Sequence, residues 1–141
     1  MTTSNDARGT RRKGPRGDLF DPTCPTRQLL DRVGSKWVVM VVTVLEAAGH
    51  ADDGPEVRFA ELRRRMPGVS QKMLAQTLRE LVADGLVGRR VEPSVPPAVH
   101  YALTPLGTSL AAPVAGLREW AEAHMPEIDT HRERTAAHAV S

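Results

Sequence analysis

The order of helix and strand signals predicts a mostly helical α+β fold: a winged helix–turn–helix with a two-stranded wing and flanking helices. Three observations carry this. Two amphipathic helical stretches, a short one holding Phe59 and Leu62 and a longer one between Ser70 and Gly85, are separated by Pro67-Gly68. Two strand-like runs, at 86–91 and 98–103, enclose a Pro-rich loop at 93–97. Apolar helical stripes lie on both sides of this block. The length of 141 residues suits one domain with flexible ends, and 40% hydrophobic residues with 11 Gly exclude a chain that is disordered throughout.

Taken in order, residues 1–22 carry basic and polar groups with little apolar content, so they read as a disordered arm. Pro25 suits a first helical turn, and Leu29, Leu30 and Val33 form a short stripe that Gly34 ends. Ser35 can cap a following segment that runs to Gly49. Its Trp37-Val38-Val39-Met40-Val41-Val42 core has strand propensity, but its length and Glu-Ala-Ala ending favour a buried helix. Asp52-Asp53-Gly54-Pro55 marks a turn. Phe59 and Leu62 share one helical face; Ser70 is an N-cap; Leu74, Leu78, Leu81 and Val82 repeat at helical spacing up to Gly85. Thr104-Pro105 opens the last helix, whose stripe is Leu106, Leu110, Val114, Leu117, Trp120 and His124, with a kink expected at Pro113. The domain proper is expected over 23–125, with 126–141 a flexible tail.

Charge is polarised beneath a net of only +2. Residues 1–20 carry +3, 21–57 carry −3, 58–90 carry +5 and 91–141 carry −3. The positive block coincides with the helix–turn–helix. Within it Gln71, Lys72, Gln76 and Arg79 are expected opposite Leu74, Leu78 and Leu81, where such side chains can meet base edges in a major groove. Spacing alone serves a solvated face equally well. Arg58, one of the run Arg63-Arg64-Arg65 (Arg64 is the candidate) and Arg89 are candidate phosphate contacts, and Ser70 joins them at the helix start. Arg89 and Arg90 alternate faces, so one of the two is expected to reach DNA.

These residues resemble a known family. Cys24-Pro25, Val33-Gly34-Ser35-Lys36-Trp37, Arg58-Phe59-Ala60-Glu61-Leu62, the run from Met66 to Leu74, Leu78-Arg79-Glu80-Leu81, Asp84-Gly85-Leu86-Val87, the run from Val99 to Thr104, Gly107 and Trp120 are similar to the HxlR-type regulators, a MarR-like branch of winged-helix transcription factors. The resemblance covers about 23–125. It implies a helix at 37–48 and a cytoplasmic homodimer on pseudo-palindromic operator DNA, acting as a repressor or an activator, a repressor being the expected sign. Leu29, Leu30, Val33, Leu117, Trp120 and Ala121 would then form the dimer contact; intramolecular packing is the other reading of that stripe. Cys24 matches a cysteine with which some relatives sense oxidants or electrophiles, and Arg27 nearby could favour its thiolate. A small buried residue is the other reading. The loop at 50–56 is longer than the family's usual turn, and the wing tip at 93–97 has no basic residue.

Other classes are not favoured. No stretch approaches the ~20 apolar residues of a membrane span, and the N-terminus shows no secretory pattern. One cysteine and scattered histidines offer no metal cluster, so neither metal nor cofactor is expected. No nucleophile–base set or phosphate loop is present, so an enzyme is not expected. The expected partners are double-stranded DNA, a second copy of the chain and a possible small-molecule or oxidant effector, with no membrane. The alternative is a winged-helix module whose basic surface meets an acidic protein.

Overall fold

The computed structural model describes residues 19–52 and 54–140. The expected arm at 1–22 therefore lies mostly outside the described residues. The elements are α1 (Pro25–Val33), α2 (Lys36–Gly49), β1 (Val57–Arg58), α3 (Phe59–Arg64), α4 (Gln71–Ala83), β2 (Val87–Glu92), β3 (Ala98–Leu103) and α5 (Pro105–Val140). Packing divides the chain into a unit up to Val39 and a unit from Met40 onward, the boundary falling inside α2.

In the first unit, Pro25 occupies the first turn of α1, where its missing N–H costs nothing. Ser35 Oγ accepts from the Trp37 N–H at 3.2 Å at the start of α2. Lys36 Nζ then lies 4.7 Å from the centre of the Trp37 ring. The segment with strand propensity is helical, as its length favoured.

The second unit holds the helix–turn–helix and its wing. Val41, Val42, Leu45, Leu62, Met66, Leu74, Leu78, Leu81 and Val87 are almost fully buried. The sheet has the order β1-β3-β2 and is antiparallel throughout, with Val57 opposite Tyr101 and Arg89 opposite Tyr101 on the other side. The expected two-stranded wing thus gains a third strand. β1 is only two residues long, too short to leave a period in the sequence, and its pairing comes from β3.

The α4–β2 turn is closed by a Schellman motif. Gly85 (φ +77°) donates to the Val82 carbonyl, and Leu86 donates to the Leu81 carbonyl, each at 3.0 Å. The start of α5 sits on this turn. Thr104 donates from its N–H to the Leu86 carbonyl (3.1 Å) and from its hydroxyl to the Gly85 carbonyl (2.6 Å). The same hydroxyl caps α5 by accepting from the Gly107 N–H at 3.0 Å. A Cβ at Gly107 would stand 1.9 Å from the Leu86 carbonyl oxygen, so only glycine fits.

The tail expected at 126–141 is instead helical through Val140, as the last 15 residues of α5 up to that point continue its hydrogen bonding. Polar, Ala-rich sequence read as fraying is here good helix-forming sequence. Pro113 and Pro126 lie inside this helix and do not end it. Both are exposed, as are Ser109 and Glu122, whose carbonyls they leave without a backbone donor.

Gly107→Ala is expected to lower unfolding free energy by about 3 kcal/mol, because the clash is with backbone that cannot rotate away. Gly116→Ala, in the same helix with nothing within 4 Å of the new methyl, is expected to be neutral or to stabilise by up to ~1 kcal/mol. Urea denaturation of the two variants checks both.

Candidate nucleic-acid interface

The interface builds outward from α4. Ser70 Oγ accepts from the Met73 N–H at 3.0 Å, which caps the helix and fixes its first turn. Leu74, Thr77, Leu78 and Leu81 turn inward. Lys72, Gln76 and Arg79 are exposed on the outer face, as their spacing predicted. Gln71 departs from that grouping. It lines an open groove of about 500 Å³ with Phe59, Ala60, Arg63 and Arg64, on the side of α4 that faces α3. At 100° per residue, Gln71 falls near Leu78 and is exposed only because it begins the helix.

The arginines separate into paired and unpaired sets. Arg64 Nε donates to Glu61 Oε1 at 3.0 Å and its Nη2 donates to Oε2. That contact holds the Glu61 carboxyl below the usual carboxylate range and raises the guanidinium. Arg90 reaches 34 residues back in sequence, forking onto the Glu56 carboxylate at 2.7–3.0 Å and lowering its pKa through these hydrogen bonds. Arg58 Nη2 lies 3.7 Å from Glu92 Oε2. His100, between Arg58 and Arg90 in the sheet register, places Nε2 3.5 Å from the same Glu92 oxygen. Both Glu56 and Glu61 stay ionised at neutral pH, because a depressed pKa leaves these pairs intact until the pH falls through it.

Among the described residues, no carboxylate lies within ion-pair distance of Arg63, Arg65, Lys72, Arg79 or Arg89. The candidates Arg58 and Arg64 are therefore held by neighbouring carboxylates, whereas Lys72, Arg79 and Arg89 present uncompensated charge. Arg63 shares this property, whereas Arg65, though beyond ion-pair distance, still helps to lower the Glu61 pKa by its charge. The Arg-Arg-Arg run could not separate them, since the i, i+3 position of Glu61 selects Arg64 only once the helix register is set. Of the pair Arg89 and Arg90, the structure leaves Arg89 unpaired.

The candidates for self-association are on two elements. On α1, Leu29 and Leu30 are 43% and 48% exposed, and Val33 is half-buried. On α5, Leu117 and Trp120 are 60% and 55% exposed and Ala121 is half-buried. Trp120 stacks on His124 with ring centres 4.5 Å apart, and His124 Nδ1 lies 2.8 Å from the Trp120 carbonyl oxygen.

Cys24 is buried. Arg27, three residues on, donates to the Phe20 carbonyl at 3.3 Å. Among the described residues no group of three or more His, Cys, Asp or Glu side chains could hold a metal, and no helix is long and apolar enough to cross a membrane.

With this geometry in place, comparison with known proteins identifies the lineage. The model of the HxlR-like helix-turn-helix family matches residues 32–129. The chain belongs to that family. It is 43% identical over 121 residues to the HTH-type transcriptional regulator YtfH of Escherichia coli (strain K12), covering 86% of this chain and 90% of that protein. Among solved structures it is similar to the transcriptional regulator ytfH from Salmonella typhimurium, with 44% identity, 83% and 98% coverage and a TM-score of 0.74. It also resembles the redox regulator HypR in its reduced form, with 38% identity, 75% and 98% coverage and a TM-score of 0.63. This HxlR-family chain is thus a transcriptional regulator with a helix–turn–helix DNA-binding fold.

Its one thiol is expected to react slowly with a water-soluble disulfide reagent in the native state and at least tenfold faster in urea, because burial shields it. Equal rates by absorbance would show that Cys24 is open to solvent.

Proposed function

We propose that the chain is a homodimeric repressor that seats α4 of each copy in the major groove of a pseudo-palindromic operator. The observation that carries this is the exposed edge of α4, where Lys72, Gln76 and Arg79 stand together without carboxylate partners among the described residues. Gln76 suits an adenine edge, and Lys72 and Arg79 suit guanine O6 and N7. Arg63, Arg65 and Arg89 supply phosphate contacts. Arg58 and Arg64 add to them by exchanging Glu92 and Glu61 for phosphate, at small cost because exposed pairs of this kind are worth at most ~1 kcal/mol. Ser70 and Gln71, at the start of α4, serve the backbone rather than the bases.

Leu117, Trp120 and Ala121 on α5, and Leu29, Leu30 and Val33 on α1, are proposed to bury against a second copy. Two copies related by a two-fold axis would present their α4 helices one DNA turn apart, ~34–36 Å. A redox role for Cys24 draws support from the likeness to HypR; burial of the thiol means that oxidant would have to reach it through an opening of the first unit.

Binding to a promoter-derived duplex is expected to weaken with salt along a log–log slope near −0.9 per neutralised phosphate. Arg79→Ala is expected to lose discrimination between specific and random DNA by ~1–3 kcal/mol. Arg63→Ala should weaken both alike and flatten the slope by about one unit. A flat slope for the unaltered chain would point to a protein partner instead. Leu117→Glu is expected to convert the dimer to monomer in sedimentation equilibrium while leaving the circular dichroism of the helices unchanged.

A further inference from the structure

The reading face of α4 holds one side chain that its polar chemistry does not explain. Met73 is 42% exposed, and it is the single large hydrophobic residue so exposed among residues 58–90. A lone exposed methionine needs no explanation at an arbitrary surface point. This one stands in the first turn of α4, three residues before Gln76 and therefore beside it on the helix surface, with Lys72 on the far side of Gln76. Its backbone is fixed from both directions. The N–H donates to Ser70 Oγ at 3.0 Å, and the carbonyl accepts from the Thr77 hydroxyl at 2.8 Å. The side chain thus springs from a rigid turn, while its own unbranched thioether can adapt to a partner.

Resting on the DNA-binding reading above, we propose that Met73 is a specificity-determining residue that recognises the 5-methyl group of a thymine adjacent to the base pair addressed by Gln76. The major-groove edge of thymine carries the one apolar group in the base code, and an apolar side chain is its complement. Gln76 on adenine with Met73 on a neighbouring thymine would give α4 a preference for A·T-containing steps that charge alone cannot provide. Burying the methyl against Met73 removes apolar surface from water on both partners.

The test uses the full chain and a duplex selected by it from a randomised pool, in which each thymine is replaced in turn by deoxyuridine. That change deletes the methyl group and keeps every hydrogen-bonding atom. At one thymine per half-site, next to the pair whose preference is lost in Gln76→Ala, the unaltered chain is expected to bind about fourfold more weakly, the fold-change equivalent to ~0.8 kcal/mol for one methyl group. Met73→Ala and Met73→Gln should bind the thymine and uracil duplexes equally, and circular dichroism should show both variants folded. Equal binding of the two duplexes by the unaltered chain, or retained discrimination in both variants, overturns the inference while leaving DNA binding standing. Failure to select any duplex overturns the DNA-binding reading and this inference with it.

Discussion

The seating of α5 on the turn between α4 and β2 fixes how the helix–turn–helix and the wing meet. Two bonds donated by Thr104, and the bare Cα of Gly107, meet at two carbonyls, those of Gly85 and Leu86, while the Thr104 hydroxyl also accepts from the Gly107 N–H. The Schellman closure of α4 turns these carbonyls toward α5. One hydroxyl satisfies a turn carbonyl and caps the next helix at once, so the end of the wing is tied to the end of α4. β3 enters α5 through the same residue, and β1 is held by pairing with β3. The placement of all three strands relative to α4 follows from this joint. The resemblance includes both Thr104 and Gly107, and the close approach gives them a physical reason: no other residue at 107 leaves room for the Leu86 carbonyl.

Electrostatics act on this frame by subtraction. The segment 58–90 carries a net +5, but the fold commits Arg58, Arg64 and Arg90 to carboxylates supplied from α3, from β2 and from the loop before β1. What remains unneutralised is grouped on α3, α4 and β2. The segment before β1 contributes Glu56 to this arrangement. Its carboxylate takes Arg90 out of play and so leaves Arg89 as the cation on β2 available to a polyanion. A net charge cannot express this, because it counts paired and unpaired guanidinium groups alike.

Much of the architecture was legible before any coordinates. Ser70, Gly85 and Thr104 are cap signals whose chemistry acts within three or four residues, and each behaves as that chemistry dictates. The buried face of α4 follows from the spacing of Leu74, Leu78 and Leu81. Three features were not legible. β1 is too short for a pattern, and its existence depends on β3. The helicity of 126–140 was obscured because a polar composition served equally for a frayed tail and for an exposed helix. Gln71 was grouped with Gln76 by polarity, although helical geometry places it toward α3.

The sequence by itself determined the order of the helices and of the two wing strands, the buried face of α4, the caps and the family, because these rest on local spacing and on residues that act on near neighbours. Only the tertiary structure decided which arginines are spent on carboxylates, why position 107 must be glycine, and that Cys24 is buried. Ion pairing, steric contact and burial depend on groups brought together from distant parts of the chain. Glu56 and Arg90 are 34 residues apart, and Leu86 and Gly107 are 21 apart. No local pattern encodes those distances.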